Sequence, residues 1–155
     1  MNIAKKVFYT LSSVWIMYIF LGSLPYKFSG HEHTQNIFGT IGDWMMDIFP
    51  RFIGQGFVDY GAYIIGGAEL VVSLVLLAGI IGIFMKKAYA EKMFAFGGLG
   101  ASLIMLGAVF FHLFTPLGIE VNGDGGSLFR AAVSILILGS VMFKIYFFCG
   151  KCCKK

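Results

Sequence analysis

Hydrophobic and polar positions divide the chain into four long apolar runs separated by short polar breaks. VFYTLSSVWIMYIFLGSL, from Val7 to Leu24, is closed by Pro25. A second run extends from Ala62 to Met85, a third from Met93 to Phe114 ahead of Thr115 and Pro116, and a fourth from Leu128 to Cys149. A bilayer core of about 30 Å needs roughly 20 helical residues to cross it. All four runs meet that length, so the pattern predicts an all-α membrane protein, a four-transmembrane-helix bundle forming one domain over residues 1–155 without internal repeats. The first run could be mistaken for a cleaved signal behind Lys5 and Lys6. Its apolar stretch is longer than the usual h-region of roughly 7–15 residues and no A-x-A-like site follows, so it is read as a retained helix.

A different period governs the segment between runs one and two. In NIFGTIGDWMMDIFPRF, Ile37, Phe38, Ile41, Trp44, Met45, Ile48, Phe49 and Phe52 recur at spacings of three and four. Asp43, Asp47 and Arg51 fall four apart on the opposite face. This is the signature of an amphipathic helix, expected over 36–53 and lying in the outer interface or over the bundle mouth, with Pro50 kinking or ending it.

Composition agrees with the runs. Of 155 residues, 58% are hydrophobic and 13% charged, too little polar surface to coat a soluble globule. The charges are also sorted. Lys5, Lys6, Lys86, Lys87, Lys92, Lys144, Lys151, Lys154 and Lys155 fall on one side of a threaded four-span chain; Lys27, Arg51 and Arg130 fall on the other with Glu32, Asp43, Asp47, Asp59, Glu120 and Asp124. Lysine and arginine are retained in cytoplasmic loops, so both termini are expected in the cytoplasm. The net charge of +4 then reflects topology and contact with anionic lipid. No basic-aromatic motif for nucleic acid is present.

Rare ionisable residues inside the spans carry the candidate chemistry. Glu69 lies about eight residues, or ~12 Å, past Gly61 along span two. His112 lies one turn from the end of span three, and Arg130 opens span four. By depth these three groups are expected to converge in the outer half, facing protein rather than lipid. Small-residue stripes support the facing: Gly97, Ala101, Met105, Ala108 and His112 on span three, and Ala62, Gly66, Glu69 and Ser73 on span two. Ser134 stands a turn below Arg130, and Tyr18 and Gly22 end at a comparable depth. Ionisation in low dielectric is costly, so Glu69 is expected to neutralise unless a cation or hydrogen-bond donors compensate it, and Arg130 is the expected partner. Two readings stay open: a closed polar clasp holding the bundle, or a pocket open to the outer leaflet for a small amphipathic ligand with a protonatable head.

The chain resembles the DoxX family of small bacterial four-span membrane proteins. The likeness covers nearly all of it and rests on YKFSG (26–30), IFGTIG (37–42), GAYIIGGAEL (61–70), FFHL (110–113) and GIEVNGDGGSLF (118–129). In the last stretch Gly118, Gly123, Gly125 and Gly126 suit φ > 0 positions, and Asp124 is placed to cap the next helix. The resemblance implies a four-helix bundle of the bacterial inner membrane with Lys27, Glu69, His112 and Asp124 as its polar signature. It also implies an accessory role in redox metabolism beside a quinone-linked oxidoreductase. A quinone needs only an apolar slot with a donor or acceptor at its head, which the Glu69 and His112 region offers. No outer thiol pair, dinucleotide glycine fingerprint or second haem-binding histidine is found, which argues against autonomous redox catalysis.

Two further clusters read as bland. His31, Glu32 and His33 alternate in a loop, a poor metal site, and no metal is expected. Cys149, Cys152 and Cys153, set among Lys151, Lys154 and Lys155, read as free thiols on a basic stop signal, although C-x-x-C can also bind metal or cycle redox. Three function classes remain: an oxidoreductase accessory subunit, a ligand-binding or transport protein, and a structural anchor for a partner complex. Oligomeric state is left open, a homo-oligomer included.

Overall fold

The structure is a computed structural model that describes residues 2–152, with side chains described to residue 148. Among the described residues are five helices: α1 (Ile3–Phe28), α2 (Glu32–Ile48), α3 (Arg51–Phe84), α4 (Ala90–Phe114) and α5 (Ser127–Cys152). Four of them, α1, α3, α4 and α5, are long and apolar enough to cross a membrane. The cysteine tail lies outside this description: nothing is assigned to the side chains of Cys149 and Cys152, nor to Cys153.

Helix order is fixed by contacts at both ends of the bundle. Lys5 Nζ approaches Glu91 Oε1 at 3.6 Å, which places the start of α1 beside the start of α4. At the opposite end Asn122 Nδ2 donates to the His33 carbonyl at 3.2 Å, which places the α4–α5 loop beside the start of α2. α3 packs against α1, α2 and α4, and α5 packs mainly against α4. Leu11, Ile64, Val71, Leu74, Leu103 and Ile137 are exposed around the outside, an apolar belt that suits lipid.

Several helix boundaries differ from those the pattern predicts, and two of the differences lie at prolines. α1 does not stop at Pro25 but runs one more turn to Phe28. A proline late in a helix removes only its own N–H, and the turn that follows still closes, because the Ser29 amide donates to the Pro25 carbonyl at 3.0 Å. The second difference concerns the amphipathic segment. α2 begins at Glu32 and ends at Ile48, short of the expected residue 53, and Pro50 is the N-cap of α3. Arg51 therefore belongs to α3 and not to the polar face carrying Asp43 and Asp47. At 34 residues α3 is ~51 Å long, well beyond an apolar core of about 30 Å. Its extra turns form a hairpin with α2. There, a Cβ on Gly54 would lie 2.5 Å from the Gly42 carbonyl oxygen, a contact that only glycine allows.

Of the apolar positions expected on one face, Phe38 and Ile41 are buried on α2, while Ile48 at its end and Phe49 and Phe52 beyond it are exposed. Phe38, Phe57, Phe111, Trp44 and Phe110 form a chain of ring contacts with centroids 5.4 to 6.4 Å apart, tying α2 to α3 and α4. At the far end Tyr9 stacks on Phe94 at 5.2 Å. Val72, Leu76, Ala101, Met105, Ile135 and Met142 fill the space between.

The α4–α5 interface depends on bare backbone. A Cβ on Gly139 would sit 2.4 Å from the Gly98 carbonyl oxygen and 2.5 Å from Ser102 Oγ, so helices in contact here must part to admit one methyl. Gly107, with nothing within 4 Å of its added Cβ, is the matched control. Gly139→Ala is expected to destabilise the bundle by about 1–3 kcal/mol in detergent unfolding. Gly107→Ala is expected to be neutral or mildly stabilising, and equal effects would contradict the packing described.

Candidate functional site: a buried ion pair beside a cleft

Glu69 is 2% exposed, and its carboxylate is met from α1. The Lys27 ammonium pairs with Glu69 Oε2 and also donates to Ser23 Oγ at 2.9 Å. Ser23 Oγ lies 2.9 Å from Glu69 Oε2 and 2.8 Å from the Phe20 carbonyl, so its single proton serves one of these acceptors at a time. The local sequence explains the meeting. Ser23 and Lys27 are four apart on one face of α1, and the turn beyond Pro25 carries Lys27 into place. The lysine stem lies beside Gly66, one turn before Glu69 on α3: a Cβ there would be in ordinary contact with Lys27 Cβ and Cδ, at 3.5 Å.

The expected convergence of Glu69, His112 and Arg130 is not what the structure shows. Arg130 is exposed and donates from Nη1 to the Gly125 carbonyl at 2.9 Å, bracing the loop before its own helix. It is Lys27, and not Arg130, that is the partner of Glu69. His112 is buried as expected, but its Nδ1 lies 2.6 Å from the Gly118 carbonyl. A carbonyl can only accept, so Nδ1 carries the proton and the ring secures the first turn of the α4–α5 loop. Phe129 covers the ring at 5.6 Å, edge to face.

The remaining expected residues separate in the same way. Ser73 is buried, yet its hydroxyl donates to the Glu69 backbone carbonyl at 2.8 Å and not to the carboxylate. Tyr18 is 70% exposed and stacks on Trp15 on the outer surface of α1, away from any polar centre. Ser134 accepts from Trp15 Nε1 at 3.0 Å and so links α5 to α1 rather than extending a polar face from Arg130. His31 and His33 have rings 5.1 Å apart, and His31 Nδ1 accepts from the His33 amide at 3.2 Å, capping α2.

Beside the ion pair lies a cleft of about 320 Å³. Its wall combines Lys27 from α1, Gly30 from the connection, Thr34, Gln35 and Phe38 from α2, and Val58, Asp59, Ala62 and Tyr63 from α3. Of these only Lys27 was expected as a site residue, through the family likeness; Phe38 and Ala62 were expected on packing faces. Ser23, Thr34, Gln35, Asp59 and Tyr63 were missed. The spacing of Ser23 and Lys27 was a usable signal for the first of them; the cleft itself follows from the α2–α3 hairpin. A second hollow of about 380 Å³, lined by Asp43, Met46, Asp47 and Arg51, holds no buried polar group and is set aside.

Asp124 performs the role expected of it. Its Oδ1 accepts from the amides of Val121 (3.0 Å) and Gly126 (2.9 Å), and its Oδ2 from the Leu128 amide (2.7 Å) and the Ser127 hydroxyl (3.1 Å). Gly118, Gly123, Gly125 and Gly126 have φ between +60° and +77°, the left-handed positions anticipated for that turn. No family model, no curated protein and no solved structure matches this chain.

Partial burial pushes the Asp124 carboxyl up, but the donors from Leu128, Val121, Gly126 and Ser127 outweigh it and lower the pKa from 3.8 to about 2. A carboxylate whose folded pKa lies below its unfolded one adds stability above the unfolded value, and that stability is lost as pH falls through the folded value. The stability advantage of the wild type over Asp124→Asn should therefore shrink between pH 3.8 and about 2 in unfolding measurements. An advantage that stays constant across this window would contradict the cap.

Proposed function

We propose that the chain is a DoxX-like multi-pass protein of the bacterial inner membrane that binds the polar head of a small amphipathic molecule at the Lys27–Glu69 cleft. The observation that carries this reading is that Lys27, the partner of the buried Glu69 carboxylate, also lines a cleft. A purely structural clasp gains nothing from such a cleft, and a buried pair by itself contributes little net stability. Lysine distribution puts both termini in the cytoplasm, with Lys5 at the end of the bundle opposite α2. The cleft then opens toward the non-cytoplasmic face, at the depth where lipid head groups and membrane-soluble cofactors place their polar atoms.

The accessory redox role implied by the family likeness is compatible with this site. A quinone carbonyl can accept from the one Lys27 N–H that Ser23 and Glu69 leave over, while its ring lies against Phe38 and Tyr63. In that case the chain serves a quinone-linked oxidoreductase as a partner subunit and itself carries out no electron transfer.

The test is mass spectrometry of the lipids and cofactors retained by detergent-purified protein, compared among wild type, Lys27→Met and Glu69→Gln. Wild type is expected to keep a small amphipathic molecule that falls at least several-fold in Lys27→Met. Identical retention in all three proteins would overturn the reading.

A further inference from the structure

The charges around the cleft are unequal. Lys27 is already balanced by Glu69, which leaves Asp59 as the uncompensated charge on the wall: one cation against two carboxylates. Asp59 Oδ1 accepts from Gln55 Nε2 at 3.0 Å, and an ionised carboxylate has further lone pairs to offer. Tyr63 lies four residues further along α3, on the same face as Asp59, and both line the cleft. A carboxylate next to an aromatic face is an environment that attracts an ammonium group. A plain anion in the same cleft would meet net repulsion.

The rest of the lining has a different chemistry. Lys27 has three N–H groups, of which Ser23 and Glu69 engage two, and Thr34 and Gln35 add a hydroxyl and an amide. These are donors suited to phosphate oxygens. Gly66, beside the Lys27 stem, and Glu69, which holds its ammonium, lie seven and ten residues from Asp59, or ~10–15 Å along α3. That distance accommodates an ammonium and a phosphate joined by two carbons, with a hydrogen bond at each end. Phe38, Val58 and Ala62 supply the apolar wall between them.

We infer that the cleft takes a phosphoethanolamine head group, its ammonium at Asp59 and Tyr63 and its phosphate at Lys27, Thr34 and Gln35. This inference rests on the ligand-binding reading of the cleft and narrows it to one chemistry. The same head group occurs on a phospholipid or as a free amino-alkyl phosphate.

The test uses the full chain reconstituted in vesicles of equal phosphatidylethanolamine and phosphatidylglycerol, then extracted for native mass spectrometry. Wild type is expected to retain phosphatidylethanolamine in preference. Asp59→Asn, an isosteric change at an exposed position, is expected to reduce that preference about tenfold, the scale of one charge-assisted hydrogen bond, with the unfolding temperature unchanged. Displacement of the lipid by added free phosphoethanolamine supports recognition of the head group alone, whereas retention against it supports the phospholipid as the source.

Equal retention of phosphatidylglycerol, or a preference that survives Asp59→Asn, overturns the inference. If wild type instead holds an amphipathic molecule lacking an ammonium, and Lys27→Met releases it, the inference falls while the proposed function stands. If Lys27→Met changes nothing, both fall.

Discussion

A carboxylate buried among apolar helices must be given a counter-charge, and the Lys27–Glu69 pair meets that demand by joining α1 to α3. Much of the local architecture serves this contact. α1 continues past Pro25 so that Ser23 and Lys27 both face α3, and the lysine stem lies beside Gly66. Losing one partner would leave the other charge buried and alone, which costs roughly 3–5 kcal/mol, although the intact pair need not outperform a well-packed apolar replacement. Under the proposed function, the pair is part of a binding site.

The α2–α3 hairpin sets Lys27 of that pair in the wall of a cleft. α3 is longer than a bilayer core requires, and its first turns carry Asp59 and Tyr63 beside α2, which contributes Thr34, Gln35 and Phe38. Gly42 and Gly54 allow the two helices to touch backbone to backbone, and the ring contacts of Phe38, Phe57 and Trp44 hold α2 down. The α4–α5 loop is rigid in its own way, with His112 holding Gly118 and Asp124 capping the next helix. His112 and Arg130 thus support the frame around the cleft, which leaves the ion pair as the chemically distinctive element.

The sequence made the four apolar helices legible because a run of some twenty apolar residues has few other stable fates. Small-residue stripes also gave the facing of Glu69 and His112, since helices approach only where side chains are short. Pairing was harder to read. Depth along a helix says nothing of the direction in which an arginine extends, and Arg130 found a nearer acceptor in the Gly125 carbonyl than in Glu69. Treating Pro25 as a stop removed Lys27 from span one, so its match to Glu69 could not be derived by counting. The cleft depends on where α2 ends, and GQG at 54–56 resembles a loop until α2 packs against it.

The central claim is that Glu69 is energetically coupled to Lys27 and not to Arg130. A double-mutant cycle measures this directly: the unfolding free energies of Lys27→Met, Glu69→Leu and the double variant, beside the same cycle with Arg130→Met. The account predicts a coupling of about 1–3 kcal/mol between Lys27 and Glu69 and near zero between Arg130 and Glu69. Additive effects for Lys27 and Glu69, or a strong coupling to Arg130, would contradict it.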